Sequence, residues 1–248
     1  MKTGKERIEK MKLTRMFCCA ALIVAILVSF PVSLSANAQE PGSIDWSRVY
    51  FLGESTTAHL RRRGNLLGQY AKTNVLAPDS GTLMLSSRTL SQTIRKAGSK
   101  EKVSILNAIR EKQPPVLILS FGLNGITGFH KSESKYLQLY AKLIRSIRDA
   151  SPDTLLVLQT IYPVAKEQTS WKFAVSPELI NSWIDSLNER LSGLAAEECV
   201  LLWDTAALLK DENRFLKPEF SADGIHLTSA GYDVILRKIA ENTEKLKI

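Results

Sequence analysis

Short apolar runs recur along the chain and are separated by longer segments with helical periodicity. The runs are continuous rather than alternating between apolar and polar residues, which is typical of β-strands that are covered on both faces. Prolines end the helix before the third run, because proline cannot continue a helical hydrogen-bond pattern. The predicted strands are Val49–Leu52, a short run at Thr73–Leu76, Val116–Ser120, Leu155–Gln159 and Val200–Trp203.

Between the strands, apolar residues repeat at the three- and four-residue spacing of amphipathic helices. Thr228 is placed to cap the last of these helices, since its side-chain oxygen can accept from the first backbone N–H groups. The apolar faces are Tyr136, Leu139, Leu143 and Ile147 in one helix, Ile180, Trp183, Ile184, Leu187, Leu191 and Leu194 in a second, and Tyr232, Ile235, Leu236 and Ile239 in the last. This alternation predicts an α/β protein, a three-layer α/β/α sandwich with a five-stranded, mainly parallel, flavodoxin-like sheet.

The first 38 residues have the parts of a secretory signal peptide. Met1–Arg15 carries six lysine and arginine residues, Met16–Val28 is uninterrupted apolar sequence, and Ala36–Ala38 offers the small residues at which a signal peptidase cuts. An uncleaved anchor helix is the alternative, because the apolar stretch can be extended to Leu34, near the minimum of about 17 residues for a membrane span. Both interpretations place residues 39–248, a single domain, outside the cytoplasm, either secreted or associated with the membrane or cell envelope.

Without this leader the chain has only a modest charge. The net charge of the full chain is +8, and removal of residues 1–38 leaves 27 basic and 23 acidic residues, a net charge of +4. This charge is compatible with an anionic envelope surface, although a solvated exterior explains it as well. No basic block with interleaved aromatics indicates a nucleic-acid partner, and Arg61–Arg63 is interpreted as a helix end.

Cys199 is the one cysteine after the leader, so no internal disulfide is expected, and its apolar neighbours indicate a small buried residue.

Polar residues stand close to the ends of several predicted strands. In open parallel sheets, ligands bind beyond the carboxyl ends of the strands, so these residues are the first candidates for a functional site. Ser55 follows the first strand and Asn124 follows the third. Asp223 and His226 precede the last helix. The predicted topology therefore brings all four residues towards one edge of the sheet.

Three of these residues have the chemistry of an activated serine nucleophile. A serine hydroxyl is a poor nucleophile at neutral pH unless a base takes its proton, and that base must be oriented. The three-residue spacing of Asp223 and His226 allows a tight turn to bring the carboxylate to one ring nitrogen, which leaves the other nitrogen for Ser55. The other two histidines, His59 and His130, are interpreted as structural residues.

Attack on a carbonyl carbon would place negative charge on the oxygen, and this charge needs fixed hydrogen-bond donors. The backbone N–H of Ser55 at a helix start and the side-chain amide of Asn124 are two candidates. A glycine N–H from the region after the second strand is the third, with Gly81 as the first choice and Gly68 as the second.

Each candidate also has an ordinary structural explanation when it is taken alone. Ser55 could cap a helix, and Asn124 could occupy a loop with an unusual backbone angle. Asp223 could form a local turn, with His226 as a surface histidine. Their convergence favours the joint interpretation as a hydrolytic site. No phosphate-binding glycine motif and no metal-ligand spacing is present, so neither a cofactor nor a metal is expected.

The order of these residues resembles that of the SGNH or GDSL hydrolase superfamily. Gly53–Ser55 looks like the block that carries the nucleophile of that family, and Gly122–Asn124 resembles the block with the oxyanion-hole asparagine. Asp223–His226 looks like the block that completes the catalytic triad. Two departures stand out, because the family usually has aspartate where Glu54 stands and often has aspartate where Gly125 stands.

The resemblance implies a serine esterase that works through an acyl-enzyme at Ser55, with Gly81 as the second-block glycine, and the leader places this esterase outside the cytoplasm. It implies short acyl esters on carbohydrates, or lipid esters, as substrates, and acetyl esters on an envelope glycan are the first expectation. The alternatives are a lysophospholipase or thioesterase, an acyltransferase, and a non-catalytic binding module on the same fold. A flavodoxin-like nucleotide-binding protein is a further option. Trp171 is interpreted either as a groove-lining aromatic residue or as a packed loop residue.

Overall fold

The computed structural model of the protein describes residues 44–78, 80–95, 99–169 and 173–246. The predicted signal peptide and Trp171 lie outside the described residues. The strands are β1 Val49–Gly53, β2 Val75–Leu76, β3 Thr93–Arg95, β4 Lys102–Ser104, β5 Val116–Ser120, β6 Leu155–Gln159 and β7 Leu201–Trp203. The helices are α1 Ser55–Ala58, α2 Leu60–Arg63, α3 Tyr70–Thr73, α4 Ile105–Lys112, α5 Ile126–Phe129, α6 Glu133–Ala150, α7 Pro177–Glu197, α8 Thr205–Leu209, α9 Ser229–Ala240 and α10 Thr243–Leu246.

The main sheet has five parallel strands in the order β2-β1-β5-β6-β7. When only the strands of this sheet are counted, the order is 2-1-3-4-5, the flavodoxin-like arrangement that the sequence predicts. In the centre of the sheet, Gly53 at the end of β1 pairs with Ser120 at the end of β5. The carboxyl ends of these two strands are therefore level, and the loops that follow them start side by side.

Alternate residues of the central strands supply two separate cores, one on each face of the sheet. Leu117 of β5 joins the cluster that contains buried residues of α4, α6 and α7, among them Ile144 and Leu187. Ile118, the next residue of β5, joins the cluster that contains the buried face of α9, including Tyr232. Helices therefore cover both faces, which confirms the three-layer α/β/α sandwich and explains why the strand sequences are apolar at consecutive positions.

Several local predictions differ from the structure. The second strand is only Val75–Leu76, because Tyr70–Thr73 forms α3. The last strand begins at Leu201 rather than at Val200. The antiparallel pair of β3 and β4 was not predicted, because three residues per strand are too few to show a period of two.

The prediction that Cys199 is buried is wrong, as the turn after α7 shows. Cys199 is half-buried rather than buried, and its backbone φ of 50° lies in the left-handed region. The buried side chain at this turn is that of its neighbour Glu198, which accepts hydrogen bonds from Arg145 and Arg148.

Arg61–Arg63 forms the last turn of α2, in agreement with its interpretation as a helix end. In the part of the chain that the structure describes, no helix is both long and apolar enough to cross a membrane.

Candidate active site

Ser55 stands at the junction between β1 and the helical segment that follows it. A Cβ at Gly53 would lie 2.2 Å from Oγ1 of Thr57 and 2.4 Å from the carbonyl oxygen of Ser120, so only glycine fits between β5 and α1. The N-cap of α1 is Glu54, and Ser55 is the first residue of the helix. The interpretation of Ser55 as a helix cap is therefore wrong, and its hydroxyl is available for another partner.

That partner is the imidazole of His226, 171 positions along the chain. The Oγ of Ser55 lies 3.0 Å from Nε2 of His226, and Nδ1 of His226 lies 2.7 Å from Oδ2 of Asp223. The His226 and Asp223 side chains are only 18% and 21% exposed, so water competes weakly for these hydrogen bonds. The three groups form one hydrogen-bonded chain from carboxylate to imidazole to hydroxyl.

A tight turn gives Asp223 its orientation. Its Oδ1 accepts hydrogen bonds from the backbone N–H of Ile225 at 3.1 Å and of His226 at 2.8 Å, while its Oδ2 contacts the ring. Burial acts to raise the pKa of Asp223, but the hydrogen bonds from the His226 N–H and ring and from the Ile225 N–H outweigh it, so the pKa lies below its ordinary value. Thr228 caps α9 as predicted, accepting from the N–H of Gly231, and this anchors the turn to a helix.

Two side-chain bonds tie the histidine segment to the serine segment. The guanidinium of Arg63 donates to the carbonyl oxygen of Leu227, the residue after His226, at 2.6 Å. The hydroxyl of Tyr232, which is buried in α9, donates to the carbonyl oxygen of Thr56, the residue after Ser55. Both bonds span more than 160 residues of sequence and fix the base relative to the hydroxyl.

Glu54 connects the serine segment to the loop after β5. Its side chain is 3% exposed, and its two oxygens accept from the backbone N–H of Gly122 at 3.0 Å and of Asn124 at 2.9 Å. Burial raises the pKa of Glu54 to about 8, although the N–H groups of Asn124, Gly122 and Leu123 act in the opposite direction. The glutamate that replaces the family's usual aspartate thus holds the candidate oxyanion loop.

Asn124 lines the cavity in front of Ser55 and is half-buried. Its side-chain Nδ2 donates to the carbonyl oxygen of Leu83 at 2.8 Å. An amide nitrogen carries two N–H groups, so this bond orients the side chain and leaves one donor for a ligand. The next residue, Gly125, has a φ of 98°, which strains any other residue and accounts for glycine where the family often has aspartate.

The prediction that Gly81 supplies an oxyanion donor is contradicted by its hydrogen bonding. Gly81 lines the same cavity as Ser55, but its N–H donates to the carbonyl oxygen of Pro78 at 2.9 Å. The N–H of the second choice, Gly68, donates to the carbonyl oxygen of Asn65 at 3.1 Å. Both donors are used in local turns, because the direction of a loop N–H depends on backbone angles that the sequence does not reveal.

The structure adds His59 to the site. Its ring centroid lies 4.4 Å from that of His226, at an interplanar angle of 37°, and it lines the cavity. Burial lowers the pKa of His59 to about 4, and the nearby His226, Arg62 and Arg63 act in the same direction, so this ring is neutral near pH 7. The four-residue spacing from Ser55 was the available signal, because positions i and i+4 share a helix face. The structural interpretation of His59 is thus incomplete.

His130, the third histidine, packs face to face on Trp183, with ring centroids 3.6 Å apart and an interplanar angle of 3°. It is not among the described residues that line the cavity. This placement agrees with a structural role.

The cavity in front of Ser55 has a volume of about 980 Å³. Its lining includes the apolar side chains of Ile126, Phe173 and Ile225. It also includes Ser55, His59 and arginine side chains of the helical segment that starts at Ser55. A cavity of this size admits a ligand much larger than an acetyl group.

The family model for GDSL-like lipases and acylhydrolases matches residues 51–234. The chain belongs to this family. Membership makes it an SGNH-type serine ester hydrolase, and the match includes Ser55, Asn124, Asp223 and His226.

Solved structures of other hydrolases share the fold of this GDSL-like hydrolase. A GDSL-like lipase from Bacteroides thetaiotaomicron matches with a TM-score of 0.54 and 19% identity, covering 81% of this chain and 89% of that protein. The aryl esterase of M. smegmatis matches with a TM-score of 0.51 and 17% identity, covering 80% of this chain and 99% of that protein. An acetyl xylan esterase matches with a TM-score of 0.51 and 15% identity, covering 81% and 99%. The search of curated proteins gives no match.

Proposed function

We propose that this GDSL-like hydrolase removes short acyl groups, foremost acetyl, from a carbohydrate or envelope glycan outside the cytoplasm. The observation that carries the proposal is the hydrogen-bonded chain from Asp223 through His226 to Ser55 at the wall of a large cavity. This chain supplies a nucleophile, a base within hydrogen-bond reach and a group that orients the base.

In the proposed reaction, Nε2 of His226 takes the proton of Ser55 as Oγ attacks the ester carbonyl carbon. The resulting imidazolium then gives this proton to the leaving alcohol, and the acyl-enzyme remains on Ser55. Water attacks the acyl-enzyme with His226 again as the base, and the acid is released. Asp223 holds the ring in the tautomer with Nδ1 protonated and stabilises its charged form. No cofactor takes part in these steps.

Two donors would face the negative oxygen of the tetrahedral intermediate. The N–H of Ser55 belongs to the first residue of α1, and N–H groups in the first turn of a helix have no partner within the helix. The second donor is the N–H of the Asn124 side chain that is not bonded to Leu83. Because Glu54 binds the backbone of Asn124, it would keep these two donors at a fixed separation.

The cavity supports a small acyl group on a bulky alcohol, since its volume of about 980 Å³ leaves room for sugar units beside the nucleophile. Acetyl xylan, the substrate class of one structural neighbour, is an ester of this type. The apolar lining residues Ile126 and Phe173 suit a longer acyl chain as well, so a lipid esterase is the second candidate. The extracytoplasmic location rests on the composition of residues 1–38 alone.

The test is hydrolysis of p-nitrophenyl esters from acetate to long-chain acids by the domain without its leader. We expect kcat/KM to fall steeply with acyl length, and Ser55→Ala to lower it by about 10³-fold or more. Ser80→Ala, which changes an exposed serine of the same cavity, is the matched control and keeps the activity. A rate that rises with chain length would favour the lipid esterase. A wild type no faster than Ser55→Ala on every ester would leave a non-catalytic binding module.

A further inference from the structure

The cavity wall that carries Ser55 has a regular pattern of side chains. The segment from Ser55 to Arg63 is helical apart from a break at His59, whose φ of −68° and ψ of −16° remain in the right-handed region. Ser55, His59 and Arg62 follow the i, i+4, i+7 spacing of one helix face, and all three line the cavity. Arg62 therefore lies two turns beyond the nucleophile on the same wall, about 10 Å along the helix axis.

The three consecutive arginines have different surroundings. Arg61 donates to the carbonyl oxygens of Val75 and Ala77 and so binds the end of β2. Arg63 donates to the carbonyl oxygen of Leu227 beside the catalytic turn. Arg62 is exposed and makes neither an ion pair nor a side-chain hydrogen bond with the described residues.

The described part of the cavity lining also has no carboxylate to neutralise this charge. Its polar side chains, apart from the arginines, are those of Ser55, His59, Ser80, Thr82, Asn124, Thr127 and His226. None of these side chains carries a negative charge at neutral pH. The described lining of the cavity thus combines arginine side chains with apolar residues and has no carboxylate, and such a charge balance favours anionic ligands.

We propose that Arg62 forms an anion subsite, and that the preferred substrate is an ester whose alcohol part carries a carboxylate or phosphate group. The acyl group lies at Ser55, and the guanidinium of Arg62 binds the anion by charge-assisted hydrogen bonds. In this proposal the anion lies on the same sugar that carries the ester. This inference rests on the proposed esterase function and names the class of glycan that it would act on, an acidic one.

The test compares acetate release from three esters that share one pyranose ring: an O-acetylated methyl glucoside, the corresponding methyl glucuronide and the corresponding 6-phosphate. We expect the wild type to have about tenfold higher kcat/KM for at least one anionic ester, the effect of one hydrogen bond to a charged group. In Arg62→Gln the ratio of anionic to neutral kcat/KM falls to about one, and in Arg62→Glu it falls below one. Arg237→Gln, an exposed arginine of α9 outside the cavity, removes the same charge and keeps the wild-type ratio.

The two anionic esters separate the sources of the charge, since a preference for the uronate or for the phosphate tells which group the subsite recognises. The preference should also decline as salt rises from 10 mM to 500 mM, because exposed charges are screened. Equal kcat/KM for neutral and anionic esters would overturn the anion subsite while leaving the esterase intact. A preference that Arg62→Gln and Arg237→Gln reduce alike would assign it to net charge and overturn the subsite too. Failure of the wild type on every ester would remove the proposed function and this inference together.

Discussion

Replacement of Glu54 by glutamine should remove a pH dependence of stability that is built into the oxyanion loop. Glu54 is buried, accepts from two backbone N–H groups, and has a pKa raised to about 8 by burial. Glutamine has nearly the same shape as the carboxyl group and cannot ionise, but its amide nitrogen cannot accept a hydrogen bond, so the variant loses one of the two backbone bonds at every pH. The part of the stability difference that changes with pH is therefore the cost of carrying a charge at this position.

The direction and the size of this pH effect on the free energy of unfolding follow from proton linkage. Below pH 4.5 the carboxyl group is protonated in both the folded and the unfolded chain, so pH has no effect through it. Between about 4.5 and 8 the folded chain keeps a proton that the unfolded chain has lost, and the free energy of unfolding falls as the pH rises. Full ionisation above pH 8 corresponds to a loss on the order of 5 kcal/mol, since each pKa unit is worth about 1.4 kcal/mol. Glu54→Gln has no such loss.

The measurement is urea unfolding of the wild type and Glu54→Gln at pH values from 4 to 9. Other titrating groups are common to both proteins, so the difference between their free energies of unfolding isolates Glu54. We expect the wild type to lose stability relative to the variant as the pH rises, with most of the change between 4.5 and 8. A difference that stays flat, or that moves in favour of the wild type, would refute the reasoning, because it would mean that the backbone N–H groups outweigh burial and keep the carboxylate ionised.

Two further substitutions test the roles of the site residues in catalysis. Asp223→Asn should lower kcat/KM for p-nitrophenyl acetate by about 10³- to 10⁴-fold with little loss of thermal stability, because an amide can hold the ring of His226 in the wrong tautomer; a loss below tenfold would contradict the orienting role. Asn124→Ala should lower kcat by about 10²- to 10³-fold with a smaller change in KM, since its donor acts on charge that develops in the transition state; a rise in KM at unchanged kcat would show that Asn124 binds the ground state instead.

The sheet could be predicted from the sequence because its strands are buried on both faces. Val116–Ser120 and Leu155–Gln159 have the predicted bounds, since a continuous apolar run has few other stable placements. The weakest prediction was Thr73–Leu76, where only two residues pair with β1 and the rest are helical. Short edge strands carry little apolar signal, so their bounds depend on tertiary contacts.

The chain of Asp223, His226 and Ser55 could be predicted because its geometry is mainly local. Three residues separate Asp223 from His226, and a capped helix follows, so the turn is constrained by its own sequence. Gly81 could not be predicted in the same way. Whether a glycine N–H faces the cavity or closes a turn depends on loop backbone angles, and here it closes a turn with Pro78.

The remaining features of the site depend on hydrogen bonds between distant segments. The bonds of Glu54 to Asn124, of Arg63 to Leu227 and of Asn124 to Leu83 span 70, 164 and 41 positions. None of them produces a periodic pattern, because each joins one side chain to one backbone group. The sheet places the strand ends side by side, and these bonds then set the final distances among nucleophile, base and oxyanion donors.

A glutamate at position 54 reaches the loop after β5 with one methylene more than the family's usual aspartate. The separation between Ser55 and Asn124 is therefore adjusted by this side chain, whereas the sheet fixes only where the two loops begin.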